Sequence, residues 1–358
     1  MYRNLRLTGP TPLPPEVVAA LAQPMVSHRS EEFRVRAGTV SRHLRTLFGA
    51  EVLLPFTASG TGGLEAALVN TLGPGKRVLA VQIGYFGERW AEMARDLECT
   101  VVPWSLPWGQ AADPEELRGR MRAAAPLDAV LLTHNETSTG VLNPLAALAA
   151  VIREESEALI LVDGVSSVGA VPVDMDRWGL DVVVTASQKA LMSPPGLALI
   201  GVSDRALTVA KENGLRRYYF DFVRMADAVA EGTTTYTPAI STFYALEAAL
   251  TLIAAEGREV VFARHQRLAE LCRSGMECSG YRPFADPAHA SPTVTTVLVP
   301  PGHPAGTLRR RLEDEENVVV SQGRGIWKDQ MLRIGHMGYV RAEDITHLIE
   351  AAARMVRA

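Results

Sequence analysis

The chain has 358 residues and a formal net charge of −4 at pH 7. Hydrophobic residues make up 47% of it and charged residues 21%, which is the balance of an ordinary soluble globular protein. This length allows a large buried core and favours one large domain with a smaller one over a single domain. The near-neutral charge does not favour nucleic acid or an anionic membrane as a partner.

Features of the N-terminus and the cysteines indicate the compartment. Four prolines lie between residues 10 and 15, and no apolar segment follows a basic start, so no signal peptide is expected. The sequence contains no uninterrupted apolar run of about twenty residues, so no membrane-spanning helix is expected. The three cysteines, Cys99, Cys272 and Cys278, are odd in number and lack metal-ligand spacing. We therefore expect a cytoplasmic protein without disulfides or a bound metal.

Short apolar runs alternate with amphipathic stretches through the first two thirds of the chain. Near-continuous apolar strands separated by helices indicate an α/β fold, with a mostly parallel seven-stranded sheet covered by helices on both faces. Ligands of such sheets bind beyond the carboxyl ends of the strands. The predicted strands cover residues 52–57, 77–83, 100–104, 129–134, 159–163, 181–187 and 197–202, and the helices 62–72, 87–97, 114–124 and 145–155.

The pattern changes near residue 241, where long helical stretches precede three short strands and a terminal helix. This predicts a smaller C-terminal α+β domain. We expect an N-terminal arm over residues 1–14, a large domain over 15–242 and a small domain over 243–358. The predicted helices of the small domain cover 243–255, 260–272 and 342–356, and its strands 293–299, 318–321 and 331–334.

Lys189 lies in the stretch TASQKALMSPPG, residues 185–196, directly after an apolar strand. The chain contains only four lysines, and most of its 36 basic residues are arginines. Arginine does not release its proton near neutral pH, whereas a buried lysine does so readily. Lys189 is therefore a candidate for chemistry, although composition alone is equally consistent with chance placement.

Residues 57–65, TASGTGGLE, end another predicted strand and begin a helix. Ser59, Gly60 and Thr61 would let backbone N–H groups at the helix N-terminus bind a phosphate. The stretch is not a P-loop, because no Gly-Lys-Ser/Thr follows, and Glu65 stands where a dinucleotide motif needs its third glycine. A simple N-cap is the alternative interpretation.

Three further strand ends carry polar or aromatic residues. Phe86 lies between glycines at a helix start, where its ring could stack on a ligand or join the core. The stretch HNETSTG, residues 134–140, contains neither a nucleophile elbow nor enough ligands for a usual metal site. Asp163 follows four apolar residues, so its carboxylate needs a cation or several donors, or caps the next segment.

These strand ends together favour one chemistry. A phosphate-binding helix start, a ring that can stack, a buried acid and a desolvated amine are the groups that pyridoxal 5'-phosphate requires. The phosphate needs N–H donors, the pyridinium nitrogen needs a carboxylate, and the aldehyde needs an amine.

The ordered motifs resemble the fold-type-I pyridoxal-phosphate enzymes, and within them the class V aminotransferases of the alanine–glyoxylate and serine–glyoxylate type. The resemblance covers nearly the whole chain. It is carried by SGTGGLEAALVNTLGPGKRVL, HNETSTGVLNPL, LVDGVSSVGAVPVDMDRWGLDVVVTASQKALMSPPGLAL, TPAISTFYALEAAL and LRIGHMG.

The resemblance implies a role for each cofactor-binding residue. Lys189 would form an imine with the cofactor and carry the proton between Cα and C4', and Asp163 would keep the pyridinium nitrogen protonated. Phe86 would stack on the ring. Residues 59–61 and Gln188 would hold the phosphate.

It also implies the substrate contacts. Arg333 would bind the α-carboxylate, since a guanidinium gives bidentate geometry. Gly9 of the N-terminal arm would offer an N–H to the same carboxylate, and Thr137 would lie near the cofactor O3' and that carboxylate. Thr233 and Thr234 would reach the phosphate of a neighbouring subunit, which implies a homodimer with shared active sites.

The function implied is transamination from a small amino acid, alanine or serine, to glyoxylate or pyruvate. No second arginine is evident for a side-chain carboxylate, which favours small neutral donors over aspartate or glutamate. A ureidoglycine–glyoxylate aminotransferase of purine catabolism is one alternative. A cysteine desulfurase-like lyase is another, although Gln188 stands where those enzymes usually carry a His. A non-enzymatic protein on a transferase scaffold is the third.

Overall fold

The computed structural model describes residues 3–357, which form strands and helices in the alternating order expected of an α/β protein. The strands in chain order are β1 (Asn4–Arg6), β2 (Leu53–Thr57), β3 (Arg77–Gln82), β4 (Thr100–Ser105), β5 (Ala129–Thr133), β6 (Asn135–Glu136), β7 (Val141–Leu142), β8 (Leu159–Asp163), β9 (Val182–Ala186), β10 (Leu197–Val202), β11 (Arg282–Pro283), β12 (Val294–Leu298), β13 (Val318–Gln322) and β14 (Met331–Gly335). The α-helices are α1 (Pro15–Ala20), α2 (Glu31–Phe48), α3 (Gly60–Thr71), α4 (Tyr85–Asp96), α5 (Pro114–Ala124), α6 (Leu145–Glu155), α7 (Asp204–Glu212), α8 (Phe222–Ala230), α9 (Ile240–Glu256), α10 (Arg258–Cys278), α11 (Ala305–Glu316) and α12 (Ala342–Arg357).

Seven strands form the large sheet in the order β2-β10-β9-β8-β5-β3-β4. Neighbours from β9 to β4 pair in parallel, and β10 runs antiparallel to both β9 and β2. The prediction of a mostly parallel seven-stranded sheet is therefore confirmed. Every residue of β5, β8, β9 and β10 is buried, which explains their continuous apolar sequences.

Two hydrophobic cores cover the faces of this sheet. One core packs side chains of α2, α5, α6 and α9 against it, and the other uses α3, α4, α7 and α8. Since β5, β8 and β9 are parallel neighbours, their carboxyl ends lie side by side at one edge. Thr133 and Asp163 are paired in register there, and Lys189 follows shortly after β9. The fold thus brings the chemical residues of separate strands together.

A second sheet of five strands has the order β1-β13-β14-β12-β11 and carries α10, α11 and α12. Its edge strand comes from the N-terminus, because Asn4–Arg6 pairs in parallel with β13. The sequence predicts only an N-terminal arm here, because a three-residue strand is too short to show a period. The segment then crosses to the large sheet, where Thr11 N donates to the Gln188 carbonyl at 3.1 Å.

No helix between residues 3 and 357 is long and apolar enough to cross a bilayer.

Candidate active site

A cavity of about 160 Å³ lies at the carboxyl ends of the central strands. It brings together eight of the residues that sequence analysis singled out. They are Ser59, Gly60, Thr61, Phe86, Thr137, Asp163, Gln188 and Lys189. Five further residues complete its wall, namely Leu64, Arg89, Asn135, Val165 and Ser166.

Lys189 lies in the turn after β9, beneath the N-terminal segment. Its Nζ donates a hydrogen bond to the Thr8 carbonyl oxygen. Thr11 Oγ1 donates to the main-chain carbonyl of Lys189 at 3.0 Å, which fixes the segment above the lysine. Burial lowers the pKa of the amine to about 8, with Arg333 and Arg89 acting in the same direction and Asp163 opposing them. Lys189 therefore loses its proton more readily than an exposed lysine does.

Asp163 is the last residue of β8 and is buried. Its Oδ1 accepts a hydrogen bond from Val165 N at 3.0 Å, and Oδ2 has no hydrogen-bond donor among residues 3–357. Burial raises the pKa of this carboxyl, and the charges of Arg89 and Lys189 oppose the rise. The carboxylate thus retains an acceptor oxygen for a protonated group in the cavity.

The N-terminus of α3 forms the opposite wall. Ser59 is its N-cap, and the side chain accepts from Gly62 N at 3.3 Å. Gly60 is required by close packing, because a Cβ there would lie 2.9 Å from Val165 Cγ2. The first N–H groups of a helix have no intrahelical partner, so this end of α3 can bind an anion.

Gln188 adds a second polar group beside this helix start. Its Oε1 is buried and has no hydrogen-bond partner within the described part of the chain. This oxygen can accept a hydrogen bond from a group inside the cavity, and the NH₂ of the same amide carries the donors that a phosphate would need.

Phe86 owes its position to a buried acid that sequence analysis considered only as a metal ligand. Glu136 Oε2 accepts hydrogen bonds from Phe86 N at 2.9 Å and Gly87 N at 3.2 Å, and its Oε1 accepts from Ser138 N at 2.9 Å. Complete burial raises the pKa of Glu136 to about 6. The start of α4, which carries the aromatic ring, is held by this carboxylate.

Arg89 is a cavity residue that sequence analysis missed. Its Cζ lies 4.9 Å from the centroid of the Phe86 ring, and its charge acts on both Asp163 and Lys189. The spacing in the sequence could have indicated Arg89, because it follows Phe86 by three residues and therefore shares its helix face.

Arg333 on β14 is connected to the cavity through Thr8 and Thr137. Its Nη1 donates to the Thr137 carbonyl at 3.3 Å and to Thr8 Oγ1 at 3.4 Å, and Nε donates to the Gln322 carbonyl at 2.7 Å. The carbonyl of the same Thr8 accepts from Lys189. Burial, followed by the charge of Arg324, lowers the pKa of Arg333 to about 10. The small sheet thus places a guanidinium beside the lysine of the large sheet.

Thr233 and Thr234 are not brought into this cavity. They line a separate cavity of about 450 Å³ between α2, β2 and α8. Thr233 Oγ1 donates to the His28 carbonyl at 2.7 Å and Thr234 Oγ1 to the Tyr236 carbonyl at 2.6 Å. Within one protomer, both hydroxyl protons are therefore already used.

The cysteines also lie away from Lys189. Cys99 and Cys272 are buried, and Cys278 is exposed at the end of α10. Burial raises the pKa of Cys272 to about 12, so its thiol is poorly suited to act as a nucleophile. None of the three lines the cavity.

The residues present fit pyridoxal 5'-phosphate. The cavity offers an amine of lowered pKa, a buried carboxylate with an oxygen to spare, a helix N-terminus for a phosphate and an aromatic ring. Within residues 3–357 there is no cluster of three or more His, Cys, Asp or Glu that could hold a metal ion.

A comparison with protein families places the chain in one of them. The family model described as Aminotransferase class-V matches residues 4–348. The chain is a class-V aminotransferase. Its cofactor is pyridoxal 5'-phosphate, and its reaction moves an amino group from an amino acid to a 2-oxo acid. The scaffold is therefore that of an enzyme, and the fold-type-I assignment is confirmed.

Two relatives of this class-V aminotransferase carry different names. A protein of Synechococcus sp. (strain PCC 6716) named soluble hydrogenase, small subunit, is 38% identical over 351 residues, covering 97% of this chain and 91% of its own. The L-aspartate–glyoxylate aminotransferase of Paracoccus denitrificans is 36% identical over 340 residues, covering 93% and 85%.

A solved structure shows the same architecture as this class-V aminotransferase. The alanine–glyoxylate aminotransferase of Nostoc sp. superposes with a TM-score of 0.95 at 32% identity, covering 100% of this chain and 96% of the other. The names of the Paracoccus and Nostoc proteins thus share glyoxylate as the acceptor and differ in the amino donor.

Proposed function

We propose that the enzyme transfers the amino group of a small amino acid, alanine or serine, to glyoxylate or pyruvate. The observation that carries this proposal is the link between Lys189 and Arg333 through Thr8. A substrate α-carboxylate on Arg333 would place its α-amino group towards Lys189. The names of the Nostoc and Paracoccus proteins support glyoxylate as the acceptor.

Lys189 and Asp163 are proposed to carry the chemistry. Bound pyridoxal 5'-phosphate supplies an aldehyde that accepts the amino group and a ring that withdraws electrons from the substrate Cα. The Lys189 amine, with its pKa near 8, would take the proton from Cα and return it. Asp163 would keep the ring nitrogen protonated with its unpaired Oδ2.

The remaining cavity residues are proposed to orient the cofactor. Residues 59–61 at the start of α3, together with Gln188, would hold its phosphate. Phe86 would stack on its ring from the start of α4.

The substrate is proposed to be held by Arg333, Thr137 and Gly9. Arg333 is fixed by main-chain carbonyls of Gln322 and Thr137, so its guanidinium is oriented before substrate binds. Gly9 lies directly over the Lys189 side chain, where an N–H can reach the substrate carboxylate.

We also propose a homodimer in which Thr233 and Thr234 contribute to the neighbouring site. Support comes from the 450 Å³ cavity beside these residues and from apolar side chains nearby that are exposed in one protomer, such as Met25 and Val35, each 63% exposed. Since both threonine hydroxyls already donate, they would have to exchange partners in the dimer. A mixture of Lys189→Ala and Thr234→Ala subunits should regain activity if the sites are shared, and should not if each protomer is self-sufficient.

Cytoplasmic location is proposed from the cysteines. Cys99, Cys272 and Cys278 are all unpaired, which suits a reducing compartment. Fractionation of the native host would test it, with recovery in an oxidising compartment contradicting the proposal.

A half-reaction screen tests the donor. The cofactor-loaded enzyme is mixed with single amino acids, and loss of the visible absorbance of the bound cofactor is followed. We expect alanine or serine to bleach it fastest, with regain of absorbance on adding glyoxylate. Ureidoglycine and cysteine belong in the panel as the donors of the alternative functions, and release of sulfide from cysteine would favour the lyase.

A further inference from the structure

Arg324 lies in the loop that follows β13, close to the proposed substrate arginine. Strands β13 and β14 pair Ser321 with Arg333, and the Gln322 carbonyl accepts from Arg333 Nε at 2.7 Å. Arg324 comes two residues after that carbonyl. The loop thus brings the charge of a second guanidinium near enough to act on Arg333, at a position that the sequence analysis did not single out.

Contacts with aromatic rings connect Arg324 to the active site. Its Cζ lies 5.3 Å from the centroid of the Tyr85 ring. The Tyr85 ring is 5.3 Å from that of Phe86 in an edge-to-face arrangement, and Phe86 lines the cavity. Arg324 is therefore connected to the proposed ring-stacking residue through Tyr85, and its side chain is exposed.

The loop is held in one conformation by its own contacts. Gly323 N donates to the Met331 carbonyl at 2.8 Å, and Trp327 N donates to the Arg324 carbonyl at 3.0 Å, closing a 3₁₀ turn. The Trp327 ring packs edge-to-face on Phe284 at 4.9 Å. Hydrogen bonds and ring packing thus support the main chain on both sides of Arg324.

The charge of Arg324 has no carboxylate partner within residues 3–357. The Arg324 side chain makes no ion pair or hydrogen bond with any residue from 3 to 357, and its charge lowers the pKa of Arg333. Glu136 also acts on Arg333, but both of its carboxylate oxygens already accept main-chain N–H groups. Two neighbouring guanidiniums without a carboxylate between them favour a ligand with two negative charges.

We infer that Arg324 binds the side-chain carboxylate of an acidic amino donor, aspartate or glutamate, whose α-carboxylate lies on Arg333. This inference rests on the proposed function and adds a second donor class to it. The acidic donor gives up its amino group and its Cα hydrogen, takes an oxo oxygen from water and becomes a 2-oxo dicarboxylate. The acceptor 2-oxo acid gains the amino group and the hydrogen, releases its oxo oxygen as water and becomes an amino acid, so no further oxidant or reductant is needed.

The test compares donors in the cofactor-loaded enzyme and its variants. Half-reaction rates are measured with aspartate, glutamate and alanine for the wild type, Arg324→Gln and Lys328→Gln. Lys328 is exposed and lies next to the same 3₁₀ turn. Its substitution by Gln removes one positive charge, as Arg324→Gln does, so this variant controls for the general electrostatic field. Binding of succinate, a dicarboxylate without an amino group, is measured separately by calorimetry.

We expect the wild type to accept aspartate or glutamate, and Arg324→Gln to lower the ratio of acidic-donor to alanine efficiency by about 30-fold, the loss of a charged hydrogen bond. Succinate affinity should fall by a similar factor, and Lys328→Gln should leave the efficiency ratio and the succinate affinity nearly unchanged.

An equal fall in the half-reaction rates with alanine and with the acidic donors would show that Arg324 only orders the loop, and would overturn the inference. An enzyme active with alanine or serine but inert with both acidic donors would also overturn it, while the proposed function would stand. Inactivity with every donor would contradict the proposed function itself.

Discussion

Gly9 lies directly against the side chain of Lys189. A Cβ on Gly9 would fall 2.6 Å from both Cδ and Nζ of the lysine, and the φ angle of Gly9 is +103°. Neither the space nor the backbone conformation suits another residue. The N-terminal segment, which also forms β1 of the small sheet, thus covers the Lys189 amine.

Gly9→Ala should weaken cofactor binding without unfolding the protein. Overpacking of this kind costs about 1–3 kcal/mol, which corresponds to roughly a 5- to 150-fold loss of affinity if the cost falls on the cofactor complex. The measurement is a titration of the cofactor-free enzyme with pyridoxal 5'-phosphate, followed by visible absorbance. Gly119→Ala is the matched control, because a Cβ at Gly119 would meet nothing within 4 Å. Equal affinities of both variants would refute the close contact.

The lowered pKa of Lys189 predicts how covalent capture of the cofactor depends on pH. Only the neutral amine attacks an aldehyde, and burial lowers the pKa of this one to about 8. The capture rate of the cofactor-free enzyme should rise with pH and level off above about pH 8. Nα-acetyl-lysine serves as the control, with a pKa of about 10.4. A midpoint for the enzyme as high as that of the control would contradict the assigned environment.

Glu136 predicts a distinct pH dependence of stability. Its pKa is raised from 4.5 to about 6, so the folded protein holds this proton more tightly than the unfolded chain. The free energy of unfolding contributed by Glu136 should therefore fall as the pH rises from about 4.5 through 6. Chemical denaturation across this window, compared between the wild type and Glu136→Gln, measures it. The free energy of unfolding of the wild type minus that of Glu136→Gln should decrease as the pH rises. An increase with pH would show that folding lowers the pKa of Glu136 instead.

Arg333→Lys tests the proposed carboxylate contact. Lysine keeps the charge but loses the planar fork, so a bidentate contact becomes a single one. We expect kcat/KM for alanine to fall by about 30-fold, mainly through KM, with the absorbance of the bound cofactor retained. Arg310→Lys on the exposed face of α11 is the control. An unchanged KM would place the substrate carboxylate elsewhere.

The sequence predicted the large sheet because buried parallel strands leave continuous apolar runs. It also predicted which strand ends carry Lys189 and Asp163. Helix α2 was missed, although Ser30 caps it and Gly49 ends it, because its exposed face makes the segment mostly polar. The positions of Glu136 and Arg324 depend on tertiary contacts, with the start of α4 and with Tyr85 respectively, that no local pattern records.

The central claim is that Lys189 is the residue that binds the cofactor. The chain has only four lysines, at positions 76, 189, 211 and 328, so the attachment point can be mapped without ambiguity. The cofactor-loaded enzyme is reduced with borohydride, digested and analysed by mass spectrometry. The account predicts the pyridoxyl phosphate mass on the peptide that contains Lys189 and on no other peptide. Label on one of the other lysines, or an unlabelled Lys189 peptide from a fully loaded enzyme, would contradict it.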